Sequence, residues 1–189
     1  FVRSLLDVRT DAEPTEAGLK DFVSARDASD VACPDEQASA QMIERIRQAK
    51  VDKDTVGGVA EVHVFGCPIG LGSFAQWHTR LDSRLGAAVL GIQAFKGVEV
   101  GLGFGVAGRP GSQVHDPILP GEKGGYPQRA SNNAGGIEGG MTNGQPVVVR
   151  GAMKPISTLL RGLPSVDLRS GEALSSDYER SDVCALPAA

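Results

Sequence analysis

Residues 134–158 read AGGIEGGMTNGQPVVVRGAMKPIST, and this stretch decides the architecture of the chain. Its glycines allow a ligand or a second backbone to approach where any Cβ would collide. Asn143-Gly144 is the pair that a two-residue hairpin prefers at its centre. Val147, Val148 and Val149 then read as a buried strand ending at Met153. Lys154, Ser157 and Thr158 fall just past that strand end, where an ammonium and two hydroxyls can meet an anion. The glycine hairpin by itself suits packing as well as binding.

Upstream, Val59 to Phe65 is the clearest strand. Ala60, Val62 and Val64 alternate with Glu61 and His63, which predicts a buried valine face and a wet Glu-His face. Gly66 to Gly72 breaks it. Thr79-Arg80-Leu81-Asp82 has the form of a capping box. The helix it opens carries Leu85, Ala88, Val89 and Ile92 on one stripe and is expected to stop at Gly97. Gly86, Ala87, Gly91 and Ala94 leave its other side thin, so another helix could pack closely. Val98 to Val100 resumes extended structure, and 109–128 reads as loop. Phe1 to Val8 is an expected strand, and a polar stretch follows to Ser29. A helix starts near Pro34 and Asp35, with Ala38, Met42, Ile46 and Ala49 inward. Val166 to Leu168 is a further expected strand. Strands and helices mix without regular alternation, which predicts an α+β fold with antiparallel strands packed on helices.

The 189 residues suffice for one domain, with 41% hydrophobic and 22% charged residues as in ordinary globular chains. Aromatics are only 5% while glycines number 25, so small residues carry much of the packing. The formal net charge of -4, with no basic tract, argues against nucleic acid as a partner. No apolar run approaches the roughly 20 residues that span a bilayer. Neither a signal peptide nor a location outside the cytoplasm is expected. Cys33, Cys67 and Cys184 are widely spaced, which suits packing thiols in a reducing compartment. The start at Phe1 suggests a processed, truncated or excised segment.

Several motifs are excluded by context. Gly103 to Gly108 spells G-x-G-x-x-G, but Arg109-Pro110-Gly111 follows where a dinucleotide site needs a helix N-terminus. No phosphate-loop motif is present. His63, His78 and His115 lack metal-ligand spacing, so no metal is expected; His63 reads as a solvated strand residue, and His78 and His115 as loop residues. No Gly-x-Ser-x-Gly elbow supports a serine triad. Arg180-Ser181-Asp182 reads either as a structural ion pair or, beside a phosphate-type ligand, as an anion contact with a proton-handling carboxylate.

Taken together, Gly70-Leu71-Gly72-Ser73, Arg80 to Ser83, Gly91 to Gly101, Ser131 to Gly140, Lys154 to Thr158 and Arg180 to Cys184 resemble the chorismate synthase family. The ordered motifs run from Gly57 to the end of the chain. Residues 1–55 match weakly, as a variable region would, and 56–189 correspond to a flavin-site core within a single domain or fragment.

The resemblance implies half of the family's β-α-β sandwich and a homotetramer. It implies a 1,4-elimination of phosphate from 5-enolpyruvylshikimate 3-phosphate, giving chorismate for aromatic amino acid biosynthesis. Reduced FMN is required without net redox change. Carried over by position, Gln93, Ala94, Gly139, Lys154, Pro155, Ile156, Ser157, Thr158 and Arg180 become cofactor contacts. Asp182 becomes the proton-handling residue. Family members are about twice as long, and their Gly-Glu-Ser-His motif, their Arg-Ser-Ala-Arg-like segment and both catalytic histidines have no counterpart here. The chain is therefore expected to be the second half of the enzyme and poorly active alone. A non-catalytic flavin- or phosphate-binding or assembly module is the rival expectation.

Overall fold

The computed structural model describes residues 1–121, 125–176 and 182–188. In chain order it contains β1 (Val2–Leu5), β2 (Val8–Arg9), α1 (Leu19–Asp27), α2 (Glu36–Val51), β3 (Gly58–Val64), α3 (Leu81–Gly91) and β4 (Phe95–Val100). A 3-10 turn (Gly103–Gly108), α4 (Gly111–Val114), β5 (Ile118–Leu119), β6 (Gln128–Arg129), β7 (Ile137–Glu138) and β8 (Met141–Thr142) follow. The chain then forms β9 (Val147–Met153), β10 (Pro164–Val166), β11 (Ala173–Ser175) and a last 3-10 turn (Leu186–Ala188). Helices and antiparallel pairs mix without a repeating unit, so the fold is α+β.

Two compact units divide the chain: residues 1–60 with 152–189, and residues 61–151. In the first unit β1 pairs antiparallel with β2 and with the start of β3. Where one strand was expected over Phe1 to Val8, the chain turns sharply at Leu6, whose φ is 49°. Asp35 caps α2 by accepting from the Ala38 amide at 2.9 Å. Pro34 thus lies before the cap rather than in the first turn. Ala38, Met42 and Ala49 are buried as expected, alongside Val2, Leu5, Val8, Val31, Cys33, Val56, Met153 and Leu186. Helix α1 escaped the sequence reading because it buries no residue and so leaves little apolar periodicity. Its Phe22 meets Phe1 edge-on, ring centroids 5.0 Å apart. The expected strand at Val166 to Leu168 is shifted to β10, which pairs with β11.

The second unit builds its core from Ile137, Val147 and Val149, packed by Leu81, Leu85 and Val89 of α3 and by Val98 and Val100 of β4. Helix α3 ends at Gly91, and Gly97 lies inside β4 rather than stopping the helix. The hairpin turn also differs. Gly139 and Gly140, at φ 61° and 84°, form the two-residue turn between β7 and β8. Two successive positive φ values define the turn whose twist matches paired strands, and glycine adopts them without strain. Asn143-Gly144 instead links β8 to β9. The expected loop over 109–128 contains α4 and β5.

Candidate functional site

The run Lys154 to Thr158 leaves β9 in the first unit. Lys154, Pro155 and Ser157 are exposed, while Ile156 and Thr158 are half-buried. An ammonium and hydroxyl presented this way suit an oxyanion such as phosphate. The Thr55 hydroxyl donates to the Ile156 carbonyl at 2.6 Å, and the Val56 amide donates to the Val183 carbonyl at 2.9 Å. Adjacent residues therefore grip the two segments that carry Lys154 to Thr158 and Asp182. Asp182 itself is exposed. Arg180 lies outside the described residues. Burial pushes the Cys184 thiol above its ordinary value, which favours a packing role over a nucleophile.

In the second unit the Gly139-Gly140 turn sits at the start of α3. The expected capping box does not form. Thr79 Oγ1 donates to the Gln76 carbonyl at 2.9 Å, and Asp82 pairs with Arg80 at 2.5 Å. The Gly140 carbonyl instead accepts from the Leu81 amide at 2.9 Å and the Ser73 amide at 3.3 Å. A tertiary acceptor has replaced the local cap, which competition along the sequence could not reveal. Gln93 and Ala94 lie beyond the other end of α3, and Ala94 has φ 68°. Eleven helical residues span roughly 16 Å. Gly139 is thus near one end of α3 and Gln93 with Ala94 past the other.

The expected faces of β3 are reversed. Glu61 is fully buried, whereas Val62 and Val64 are 56% and 46% exposed. His63, expected to be solvated, keeps only 9% of its side-chain surface, its Nε2 2.5 Å from Glu61 Oε1. Arg150 Nε donates to Glu61 Oε2 at 2.5 Å, and Arg150 Nη1 donates to the Gly101 carbonyl. Charge pairing on the inner side has outweighed the apolar preference of the valines, a signal that pattern alone does not carry.

Asp116 is a second hub that sequence reading missed. It is 8% exposed. Its carboxylate accepts from the Ser131 hydroxyl at 2.6 Å and from the amides of Asn133 at 2.8 Å and Ala134 at 2.9 Å. Burial alone would push this carboxyl up, but the Ser131 hydroxyl and those amides outweigh it and hold it below 3.8. A depressed folded value means that the stabilisation is complete above the unfolded value, near 3.9, and is lost as pH falls through the folded one. Asp116→Asn is expected to lower stability by about 2 kcal/mol at neutral pH. The gap to wild type should narrow below about pH 4. Urea midpoints at both pH values check this, and a gap independent of pH would contradict it.

The G-x-G-x-x-G stretch forms the 3-10 turn, and the Phe104 amide donates to Glu99 Oε1 at 3.0 Å. No α-helix starts at the motif, so it lacks the helix N-terminus on which a dinucleotide pyrophosphate would sit. Among the described residues no group of three or more His, Cys, Asp or Glu side chains could hold a metal ion. No described helix is long and apolar enough to cross a membrane. A cleft of about 930 Å³ in the second unit is lined by residues that include Cys67, Ile69, Tyr126, Gln128 and Asn143. It contains none of the expected site residues.

Comparison with known proteins follows the same residues. The sequence model of the chorismate synthase family matches residues 2–189. Chorismate synthase of Desulforamulus reducens is 56% identical over 171 residues, covering 90% of this chain and 44% of that protein. The Brevibacillus brevis enzyme is 53% identical over 178 residues, covering 94% and 46%. That of Bacillus subtilis strain 168 is 52% identical over 179 residues, with the same coverage. A solved structure of a chorismate synthase superposes with a TM-score of 0.75 at 41% identity, over 84% of this chain and 48% of that one. The chain thus spans about half the length of the curated relatives it matches. With this fold, and with that identity along nearly all of its length, the chain belongs to the chorismate synthase family.

Proposed function

We propose that this chain supplies part of a reduced-FMN site for the elimination of phosphate from 5-enolpyruvylshikimate 3-phosphate to chorismate. The observation that carries the reading is the family match over residues 2–189, at 52–56% identity to relatives named chorismate synthase. The donor set on the exposed run agrees with it: Lys154 and Ser157 offer a cation and a hydroxyl to a phosphate or carboxylate. Lys154, Pro155, Ile156, Ser157 and Thr158 would hold the cofactor, with Gln93, Ala94, Gly139 and Arg180 as further contacts. Bound reduced flavin would supply transient electron density to the elimination. Arg180 neutralises anionic charge, and Asp182 accepts or returns a proton at its carboxylate. Gly139 offers backbone without a Cβ, at a position where nothing else lies within 4 Å.

Because the chain spans about half of its relatives, the 189 residues alone are proposed to bind FMN yet release little chorismate. A homotetramer and a cytoplasmic setting belong to the same reading. The test is an anaerobic titration with reduced FMN, followed by flavin fluorescence and melting temperature, and an assay for chorismate. Lys154→Met is expected to weaken FMN binding about tenfold. An FMN-independent melting temperature, together with unchanged binding in Lys154→Met, would refute the site. Flavin binding without chorismate even when a full-length relative's first half is added would favour a non-catalytic module.

A further inference from the structure

Of the four consecutive residues Asp54 to Gly57, Thr55 and Gly57 meet the run that leaves β9, while Asp54 and Val56 hold segments that follow it, and none of them entered the sequence reading as functional. Asp54 Oδ2 pairs with Arg161 Nη2 at 2.8 Å. The Thr55 hydroxyl donates to the Ile156 carbonyl at 2.6 Å, and Thr55 is 8% exposed. The Val56 amide donates to the Val183 carbonyl. Gly57 lies so close to the backbone of Met153, Lys154 and Pro155 that a Cβ there would collide with it. All of these contacts fall within the first unit.

We propose that Thr55 is a positioning residue: through its bond to the Ile156 carbonyl it holds the backbone of Lys154 to Thr158 in the conformation that meets the ligand. This rests on the reading of that run as flavin-binding. The physical case is one of order. The run lies past the end of β9 and outside any strand, and Pro155 has no amide to donate, so no strand ladder fixes it. A buried hydroxyl that meets its middle carbonyl supplies a fixed point. Gly57 packs against the start of the run, and Asp54 pairs with Arg161 just beyond its end. An exposed loop ordered before binding loses less conformational entropy when the ligand arrives, so the bond acts on affinity more than on the stability of the unit.

Thr55→Val removes the hydroxyl at nearly constant shape, and Thr55→Ser keeps the hydroxyl while removing the methyl. Amide exchange is measured on the ligand-free protein at Lys154, Ile156, Ser157 and Thr158, and FMN affinity by fluorescence. Thr55→Val is expected to speed exchange across the run roughly five- to tenfold and to raise the FMN dissociation constant by a similar factor, with α2 exchange unchanged. Thr55→Ser should restore both. Unchanged exchange across the run in Thr55→Val overturns the proposal, and so does a Thr55→Ser chain that behaves as Thr55→Val. If Thr55→Val does not fold, Thr55→Ser alone decides: wild-type exchange and affinity support the hydroxyl, and their loss refutes it. A wild-type chain indifferent to FMN refutes the flavin reading, while the exchange data still decide whether Thr55 orders the run.

Discussion

Glu61→Ala is expected to lower the unfolding free energy by about 3 kcal/mol, from the loss of a buried charge's partner. Glu61 is fully buried, with one carboxylate oxygen 2.5 Å from His63 Nε2 and the other 2.5 Å from Arg150 Nε. After truncation Arg150 keeps the Gly101 carbonyl and a distant Glu99 oxygen at 3.9 Å. That leaves a guanidinium, 19% exposed, without its close counter-charge. The residual exposure of Arg150 places the loss at the low end of what breaking a buried pair costs. Replacing Glu61 and Arg150 together by methionine should recover most of it, because no charge is then stranded. Chemical denaturation of the single and double variants tests this. A single variant within about 1 kcal/mol of wild type would show that water, not Glu61, satisfies Arg150.

Gly101→Ala is expected to cost a similar amount, roughly 3 kcal/mol, by a different route. Gly101 has φ 58°, and a Cβ there would collide with the Asn133 carbonyl and with the backbone of Ala134 and Gly135. All three neighbours are backbone, not side-chain tips that can swing away. The same contact region joins the core ladder, since the Gly101 amide donates to the Val148 carbonyl at 2.9 Å and the Val148 amide to Gly135 at 3.2 Å. Gly139→Ala separates strain from collision. Its φ of 61° is comparable, but nothing lies within 4 Å of a Cβ there. About 1 kcal/mol is expected for that variant, the cost of a left-handed conformation alone. Equal losses for the two alanine variants, measured by denaturant midpoint, would defeat the argument.

Much of the fold was legible where local and tertiary preferences agree. Val147 to Met153 forms a strand with the expected end, because Val147 and Val149 of its β-branched run also fill the second unit's core. The inner face of α2 was legible for the same reason. The candidate site was legible only in part. The family motifs point to Lys154 to Thr158, Gln93, Ala94, Gly139, Arg180 and Asp182, but they carry no sign of Thr55 or Asp116. A hydroxyl or carboxylate reveals its acceptor and donors only when residues distant along the chain arrive, 101 positions away for Thr55 and Ile156.

The amino-acid sequence by itself determined the α+β class, the valine strand and its end, and membership of a family through ordered motifs. These depend on local spacing and composition, which the chain carries wherever it goes. Tertiary structure decided which face of β3 turns inward, which glycine pair makes the hairpin turn and what caps α3. In the first and the last of these a partner remote in sequence outweighed the local preference: Arg150 for Glu61, and the Gly140 carbonyl for the start of α3. Buried charges and unpaired backbone amides must find partners, and only the folded chain determines which ones come within reach.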